Sequence, residues 1–171
     1  MAVPESEVRT AVEGFAATWR RVTTDPQGFF ADMPETGGLG APLTFLGVCA
    51  GINAAAHLLL LVGLGGMIAV FVGQIVGAFV AAAAFVVVAQ NLFEGHAGFE
   101  PTFRVVAYAS APAVFFWIPV LGVLAWLYAA YLTVRGLERV HHIDATRAVL
   151  TVAIGLGAVM LLGVALRRPH F

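Results

Sequence analysis

Long apolar stretches fill most of this chain, and they leave room for few kinds of fold. Hydrophobic residues make up 60% of its 171 positions, and the mean hydropathy is +0.91. A soluble domain this short cannot bury so much apolar surface, whereas a lipid bilayer accommodates it. The sequence therefore predicts an all-α integral membrane protein built as one helical bundle.

Charge and composition exclude several classes of function. The net charge is −1, so nucleic acid is not expected as a partner. The single cysteine, Cys49, excludes an internal disulfide and a cysteine-based metal cluster. Ser6 and Ser110 are the only serines, and no phosphate-binding glycine loop, zinc-protease motif or Ser/His/Asp set is evident. We therefore expect a protein that is not an enzyme and that uses no cofactor.

Three apolar stretches are each long enough to cross a hydrocarbon core of about 30 Å as a single helix. They run from Leu43 to Leu64, from Met67 to Ala89 and from Ala148 to Leu166. Glycines at positions 63, 65 and 66 predict a very tight turn between the first two stretches. Asp144 stands where it would cap the start of the last helix.

A fourth apolar stretch, Val105 to Val134, contains Pro112 and Pro119. As one helix it is too long to cross, whereas two legs would each span only about 21 to 23 Å. With two legs, seven of the nine arginines lie on one side of the membrane and Arg167 and Arg168 on the other. The positive-inside rule therefore predicts five transmembrane helices, the third and fourth forming a short proline-containing hairpin. It also predicts a multi-pass protein of the cell membrane with a cytoplasmic amino terminus.

The first 42 residues differ from the rest, and we predict a cytoplasmic segment and linker there, followed by a five-span membrane domain over residues 43–171. Apolar residues recur at helical spacing from Val8 to Val22, with charged residues between them. Asp25-Pro26 is typical of a helix start and would begin a second short helix. These amphipathic elements either lie on the membrane surface or pack on the cytoplasmic end of the bundle. No signal-peptide pattern precedes them, so the first span is expected to direct insertion.

Three polar residues lie within the first two spans. Asn53 and His57 are four residues apart and share a helix face, and Gln74 lies in the second span. If the turn centres on Gly65 and Gly66, His57 and Gln74 lie at equal depth and close enough to hydrogen-bond. The cluster is either a proton or ion relay or a polar link between helices, worth about 0.6 to 2 kcal/mol. The lack of a carboxylate in the cluster favours the polar link.

Small residues recur every four positions in the same two spans, which permits close approach between helices. This pattern favours packing within the first hairpin, with a homodimer face as the alternative. The first set is Gly47, Gly51 and Ala55, and the second is Gly73, Gly77 and Ala81.

Residues of metal-ligand type occur in two loops. Glu94, His96 and Glu100 lie in one loop, and His141, His142 and Asp144 lie in the other. Their spacing matches no ligand motif, and ion pairing of Glu100 or Glu138 with nearby arginines explains the acidic residues more simply. We therefore predict no metal site.

Three stretches of the chain resemble the Yip family (Ypt/Rab-interacting) of multispanning membrane proteins, especially its short prokaryotic members. They are Trp19–Met33, Gly98–Pro112 and Gly136–Arg147, and with the order of spans the resemblance covers nearly the whole chain. The positions that carry it are Trp19, Asp25, Pro26, Phe29, Phe30, Phe99, Glu100, Arg104, Tyr108, Pro112, Gly136 and His141.

The resemblance implies a five-helix membrane domain with a cytoplasmic amino terminus. In eukaryotic members it also implies binding of prenylated Rab-type GTPases. The stretch from Asp25 to Phe30 departs from the longer signature of those members, and their long cytoplasmic domain is missing. The fold is therefore carried over to this chain, and the GTPase partner is not.

Together these patterns predict a non-enzymatic membrane scaffold or adaptor. It would present residues 19–33 and the loops at Glu100 and Glu138 to a cytoplasmic protein partner or to lipid. Besides the lipid bilayer, a second copy of the chain is a candidate partner. The alternative function is a small transporter or channel whose path is lined by Asn53, His57 and Gln74.

Overall fold

The computed structural model describes residues 5–58, 60 and 63–166. These residues form seven α-helices and one 3-10 helix, and they contain no strand. The helices are α1 (Glu5–Thr24), α2 (Pro26–Asp32), α3 (Gly40–Leu58), α4 (Gly63–Phe93), α5 (Phe99–Ala109), the 3-10 helix (Ala111–Phe115), α6 (Pro119–His141) and α7 (Ala145–Leu166).

Four of these helices, α3, α4, α6 and α7, are long and apolar enough to cross a membrane. The predicted class, an all-α multi-pass membrane protein, is therefore confirmed. With 11 residues, α5 is about 16 Å long at the usual helical rise, about half the thickness of a hydrocarbon core. The four candidate helices therefore do not include α5, and five spans are not shown.

The chain breaks its helical path between Ser110 and Ile118, the region of the two prolines. Pro112 lies in the first turn of the 3-10 helix, and Pro119 begins α6, because proline has no N–H to donate within a helix and is best tolerated at its start. A β-carbon at Gly122 would lie 2.6 Å from the carbonyl oxygen of Phe116, so only glycine fits where the chain enters α6. We call α5, the 3-10 helix and α6 together the α5–α6 unit.

Two predicted boundaries in this region are wrong. The loop expected to hold Glu94, His96 and Glu100 is shorter than predicted, because α4 continues to Phe93 and α5 begins at Phe99, so that Glu100 lies in α5. The charged residues of this stretch do not prevent a helix because they find partners: the Arg104 side chain lies 3.8 Å from that of Glu100 one turn away.

The connection between α3 and α4 also differs from the prediction. It lies between Leu58 and Gly63, so Gly65 and Gly66 belong to the first turn of α4 and not to the turn between the helices. Gly63 alone of these glycines has a left-handed backbone, with φ of 73°, a conformation that glycine adopts without strain.

The four-residue stripes of small residues do not mark the closest approach of α3 and α4. A β-carbon built at Gly47, Gly51, Gly73 or Gly77 would meet no neighbouring atom within 4 Å. These glycines are therefore not needed for packing inside the chain. Their use as a homodimer face stays a prediction.

The start of α7 is as predicted. A side-chain oxygen of Asp144 accepts hydrogen bonds from the backbone N–H groups of Thr146 at 3.0 Å and Arg147 at 3.1 Å. This is the capping contact that satisfies free N–H groups at a helix start. Arg167 and Arg168, predicted to mark the far interface, lie outside the described residues.

The amino-terminal helices pack on the bundle. Val22, Phe30 and Met33 are 0%, 2% and 7% exposed and belong to the same core cluster as Val105 and Leu137. From Phe15 onward, packing on the bundle describes the apolar face of this segment, whereas Val12 is 60% exposed. We call α1 and α2 the α1–α2 pair.

Candidate functional site

Five of the twelve positions that carry the resemblance meet where the α1–α2 pair rests on the α5–α6 unit; they are Trp19, Phe29, Phe30, Tyr108 and Gly136. We call this contact the docking interface. On the side of the pair it consists of Trp19, Thr23, Phe29 and Phe30, and on the side of the unit of Tyr108, Ala111, Phe115, Tyr128 and Gly136.

Two hydrogen bonds fasten α1 across the docking interface. The indole N–H of Trp19 donates to the carbonyl oxygen of Ala111 at 2.8 Å, and the hydroxyl of Tyr128 donates to the carbonyl oxygen of Thr23 at 2.7 Å. The Trp19 ring also meets Phe115 edge-on, with ring centroids 6.2 Å apart. Large aromatic side chains with one polar atom suit such a place because they bury area and keep a directional bond.

The start of α2 is fixed by local chemistry. A side-chain oxygen of Asp25 accepts the backbone N–H of Gly28 at 3.0 Å, and Pro26 occupies the first turn. Both features favour a helix start at this point. This start orients Phe29 toward Tyr108, and the two rings lie edge-on with centroids 5.0 Å apart.

Gly136 sets how closely α6 approaches its neighbours. A β-carbon there would overlap the side chain of Val105 and lie 3.1 Å from the ring of Phe30. Val105 is fully buried and Phe30 is 2% exposed, so neither side chain has room to move. Glycine at this position therefore allows α2, α5 and α6 to meet at one point.

Glu100 and Arg104 hold the linker that leads from the α1–α2 pair to α3. The Glu100 carboxylate accepts the backbone N–H of Gly38 at 2.7 Å, and Arg104 donates to the Gly38 carbonyl oxygen at 2.6 Å. Gly37 and Gly38 have φ of 120° and 83°, which glycine alone adopts readily. The Arg104 side chain is nearly buried, so this clamp is part of the structure and not a loose surface contact.

His141 lies at the same end of the bundle, fully buried at the end of α6. Its Nε2 is 2.9 Å from the hydroxyl of Thr102 on α5. A β-carbon at Gly95 would lie 2.6 Å from its Nδ1, so the loop between α4 and α5 passes directly over the ring. The histidine therefore joins α5, α6 and this loop.

Two of the positions lie beside the docking interface. Phe99 is 37% exposed and stacks with Phe79 and Phe103. Pro112 is buried in the 3-10 helix and lines a small apolar cavity together with Trp19. Their roles here are packing on α4 and shaping the turn that Trp19 contacts.

The polar cluster of the first two spans exists, but its pairing differs from the prediction. The side-chain amide of Asn53 donates to the side-chain oxygen Oε1 of Gln74 at 3.1 Å, whereas His57 Nδ1 lies 2.8 Å from the Asn53 backbone oxygen of its own helix. The expected contact between His57 and Gln74 is wrong because the turn precedes Gly65, which shifts the register of α4 against α3. A polar link between α3 and α4 fits this arrangement, and the cluster gives the transporter alternative no support.

Among residues 5–58, 60 and 63–166, no group of three or more histidine, cysteine or acidic residues is placed to hold a metal ion. Reasoning from the sequence missed three partners of the site: Gly38, Thr102 and Tyr128. Each contacts a residue at least 39 positions away along the chain. Of these three, only Gly38 has a signal in the sequence. The Gly37-Gly38 pair indicates a linker, but it does not indicate that Glu100 and Arg104 bind that linker.

The Yip1 domain family model matches residues 20–167 of the chain. Comparisons with curated proteins and with solved structures gave no match. The matched range includes α2, the linker, all four apolar helices and most of the docking interface. The chain therefore belongs to the Yip1 domain family and is a multi-pass membrane protein of that family.

Proposed function

We propose that this protein is a non-enzymatic membrane scaffold that presents the outer face of the α1–α2 pair to a cytoplasmic protein partner. The observation that carries the proposal is the docking interface itself. Because Trp19, Phe29 and Phe30 face the bundle, the surface offered to a partner is the opposite, polar face of α1. The sequence predicts that residues 19–33 are presented to a partner, but the aromatic side chains within that stretch pack against the bundle.

The outer face of α1 has the character of a protein-binding surface and not of a packing surface. Glu7, Arg9, Glu13 and Arg20 are all exposed there. Arg9 and Glu13 form an ion pair at 2.9 Å, and such an exposed pair adds little to stability. A mixed pattern of charges on a helix held in one orientation supports selective binding, since charge complementarity fixes register and rejects wrong partners.

The adaptor proposal is tested by affinity capture from native membranes with four forms of the chain: wild type, a deletion of residues 1–35, Arg20→Glu and Arg147→Glu. Arg147 is exposed at the same end of the bundle but lies on α7. A stoichiometric protein recovered with wild type and Arg147→Glu, and lost with Arg20→Glu and the deletion, supports the proposal. Equal recovery with the deletion, or no stoichiometric protein with any form, contradicts it.

We further propose that the α5–α6 unit supplies a third and a fourth span, giving five in total with a cytoplasmic amino terminus in the cell membrane. Adding the 3-10 helix extends α5 by about 10 Å, to about 26 Å, which a locally thinned bilayer accommodates. The contacts Gly38–Arg104 and Gly95–His141 bring three parts of the chain to one end of the bundle: the linker, the loop between α4 and α5, and the end of α6 where the loop to α7 begins. That arrangement supports the predicted clustering of arginines on one side.

This topology is tested by labelling single cysteines in intact cells with a reagent that does not cross the membrane, in a Cys49→Ala background. Gly98→Cys and Trp117→Cys lie at opposite ends of the proposed third span. Labelling of Trp117→Cys alone in intact cells, and of Gly98→Cys only after lysis, supports five spans. Labelling of both cysteines only after lysis contradicts them.

A further inference from the structure

A cavity of about 270 Å³ lies between α2 and α6 at the end of the bundle that carries the linker. Two guanidinium groups and one amide supply hydrogen-bond donors to its wall, one carboxylate opposes them, and the rest is apolar. The lining residues are Gln27, Phe30 and Ala31 of α2, and Arg135, Glu138 and Arg139 of α6.

The donors of this cavity are only partly used by the protein. Arg135 donates through Nη1 to Glu138 at 2.6 Å, but its Nε is buried and has no hydrogen-bond partner among the described residues. Within the part of the chain that the structure describes, the ion-pair partner of Arg139 is Glu35, at 3.5 Å, and 43% of the Arg139 side chain is exposed. Because guanidinium groups form charge-assisted hydrogen bonds, the donors of Arg135 and Arg139 that Glu138 and Glu35 leave unused favour an anionic acceptor in the cavity.

The face of α6 that leads to this cavity changes character along its length. Val120, Leu124 and Leu127 are exposed aliphatic residues, Tyr131 follows one turn later at 43% exposed, and Arg135 comes one turn after that. The spacing of three or four residues puts all five on one side of the helix. Aliphatic, then aromatic, then cationic is the order in which a membrane protein meets acyl chains, interface and headgroups.

We propose that the cavity binds the phosphate of an anionic phospholipid whose acyl chain lies along this face of α6. The lipid is favoured over a free phosphate because the exposed apolar face of α6 leads, one turn after Tyr131, to Arg135 in the cavity wall, and only a lipid has a chain to cover that face. An anionic headgroup is favoured because two arginines and one glutamate leave the cavity wall with one net positive charge. The site adds a ligand to the proposed scaffold and does not depend on its protein partner.

The test uses the full chain in detergent micelles, with native mass spectrometry to count bound lipid. Phosphatidylglycerol and phosphatidylcholine with the same acyl chains are titrated separately. We expect wild type to bind phosphatidylglycerol more tightly. Arg139→Gln should weaken that binding about fivefold, the effect of removing one cationic side chain near a headgroup.

Two further variants make the test specific. Arg147→Gln removes the same charge from an exposed residue at the same end, paired with Asp144 and outside the cavity, so it should leave binding unchanged. Glu138→Gln removes the opposing carboxylate and should strengthen binding of phosphatidylglycerol.

Three results would overturn the proposal. The first is equal binding of the two lipids by wild type. The second is an equal loss of phosphatidylglycerol binding with Arg139→Gln and Arg147→Gln, which would mean that only overall charge matters. The third is binding of inorganic phosphate that depends on Arg139 with no such dependence for phosphatidylglycerol, which would mean a site for free anions.

Discussion

At Gly136 the size of the residue limits how closely α6 approaches α2 and α5. Gly136→Ala would place a methyl group against the buried side chain of Val105, and such overpacking costs about 1 to 3 kcal/mol. We expect a lower midpoint of unfolding in detergent. Gly157→Ala is the control, because a β-carbon there meets nothing within 4 Å, and it should raise stability by up to about 1 kcal/mol. An unchanged midpoint for Gly136→Ala would mean that α5 and α6 do not approach as described.

The cluster in the first two spans predicts a ranking of two substitutions. Asn53→Ala removes the bond to Gln74 and should lower the free energy of unfolding by about 0.6 to 2 kcal/mol. His57→Ala should have a smaller effect, since His57 bonds to the backbone of its own helix. Unfolding of both variants in the same detergent gives the comparison. A larger loss for His57→Ala would restore the pairing expected from the sequence.

These residues also show how far the sequence reaches at this scale. The shared face of Asn53 and His57 was predictable, because four-residue spacing is a local property of a helix. The partner of Gln74 was not, because it depends on where the turn falls. Three glycines in four positions, 63, 65 and 66, predict a turn there, yet α4 begins at Gly63, and Gly65 and Gly66 lie in its first turn.

Among the elements, the position of the α1–α2 pair depends on individual hydrogen bonds across the docking interface. Trp19→Phe keeps an aromatic ring against Phe115 but removes the indole donor to Ala111, a bond worth about 1 kcal/mol net. We expect amide hydrogen exchange in residues 15–24 to become about fivefold faster. The measurement is exchange mass spectrometry on the chain in nanodiscs.

Trp117→Phe is the matched control for that experiment. Its indole donates to the carbonyl oxygen of Val114, three residues away, so its loss stays within the connection before α6. Exchange in α1 should not change. Equal acceleration by both substitutions would mean that the effect comes from general loosening and not from the docking bond.

The same elements separate what local pattern predicts from what it does not. Helical spacing and the Asp25-Pro26 start predicted both α1 and α2, since each depends on neighbours within one turn. Their docking was left open because Trp19 and Ala111 are 92 positions apart, and nothing in an amphipathic pattern tells a membrane surface from a protein surface. The linker clamp at Gly38 was missed for the same reason.

At the scale of the whole molecule, hydropathy predicted the class and the existence of the apolar helices, although several helix ends differ by three to six residues. It did so because a hydrocarbon core sets the length and character of a span almost without regard to its neighbours. The α5–α6 unit was harder to predict, because prolines indicate where a helix breaks but not how long the helix on each side of the break is. Glu100, Arg104 and Glu138 were assigned to loops but lie in helices that extend beyond the apolar stretches. Glu100 and Arg104 are satisfied there by contacts with the backbone of Gly38.

The fold and the proposed function both depend on the docking interface, and a photo-crosslinker in place of Trp19 tests in the native membrane whether α1 contacts the α5–α6 unit. A benzophenone side chain at this position reacts with whatever lies within a few ångströms. We predict crosslinks within the same chain, to peptides that contain Ala111 and Phe115. Crosslinks mainly to lipid, or mainly to another protein, would mean that Trp19 faces away from the bundle and would contradict the docking of α1 on the α5–α6 unit.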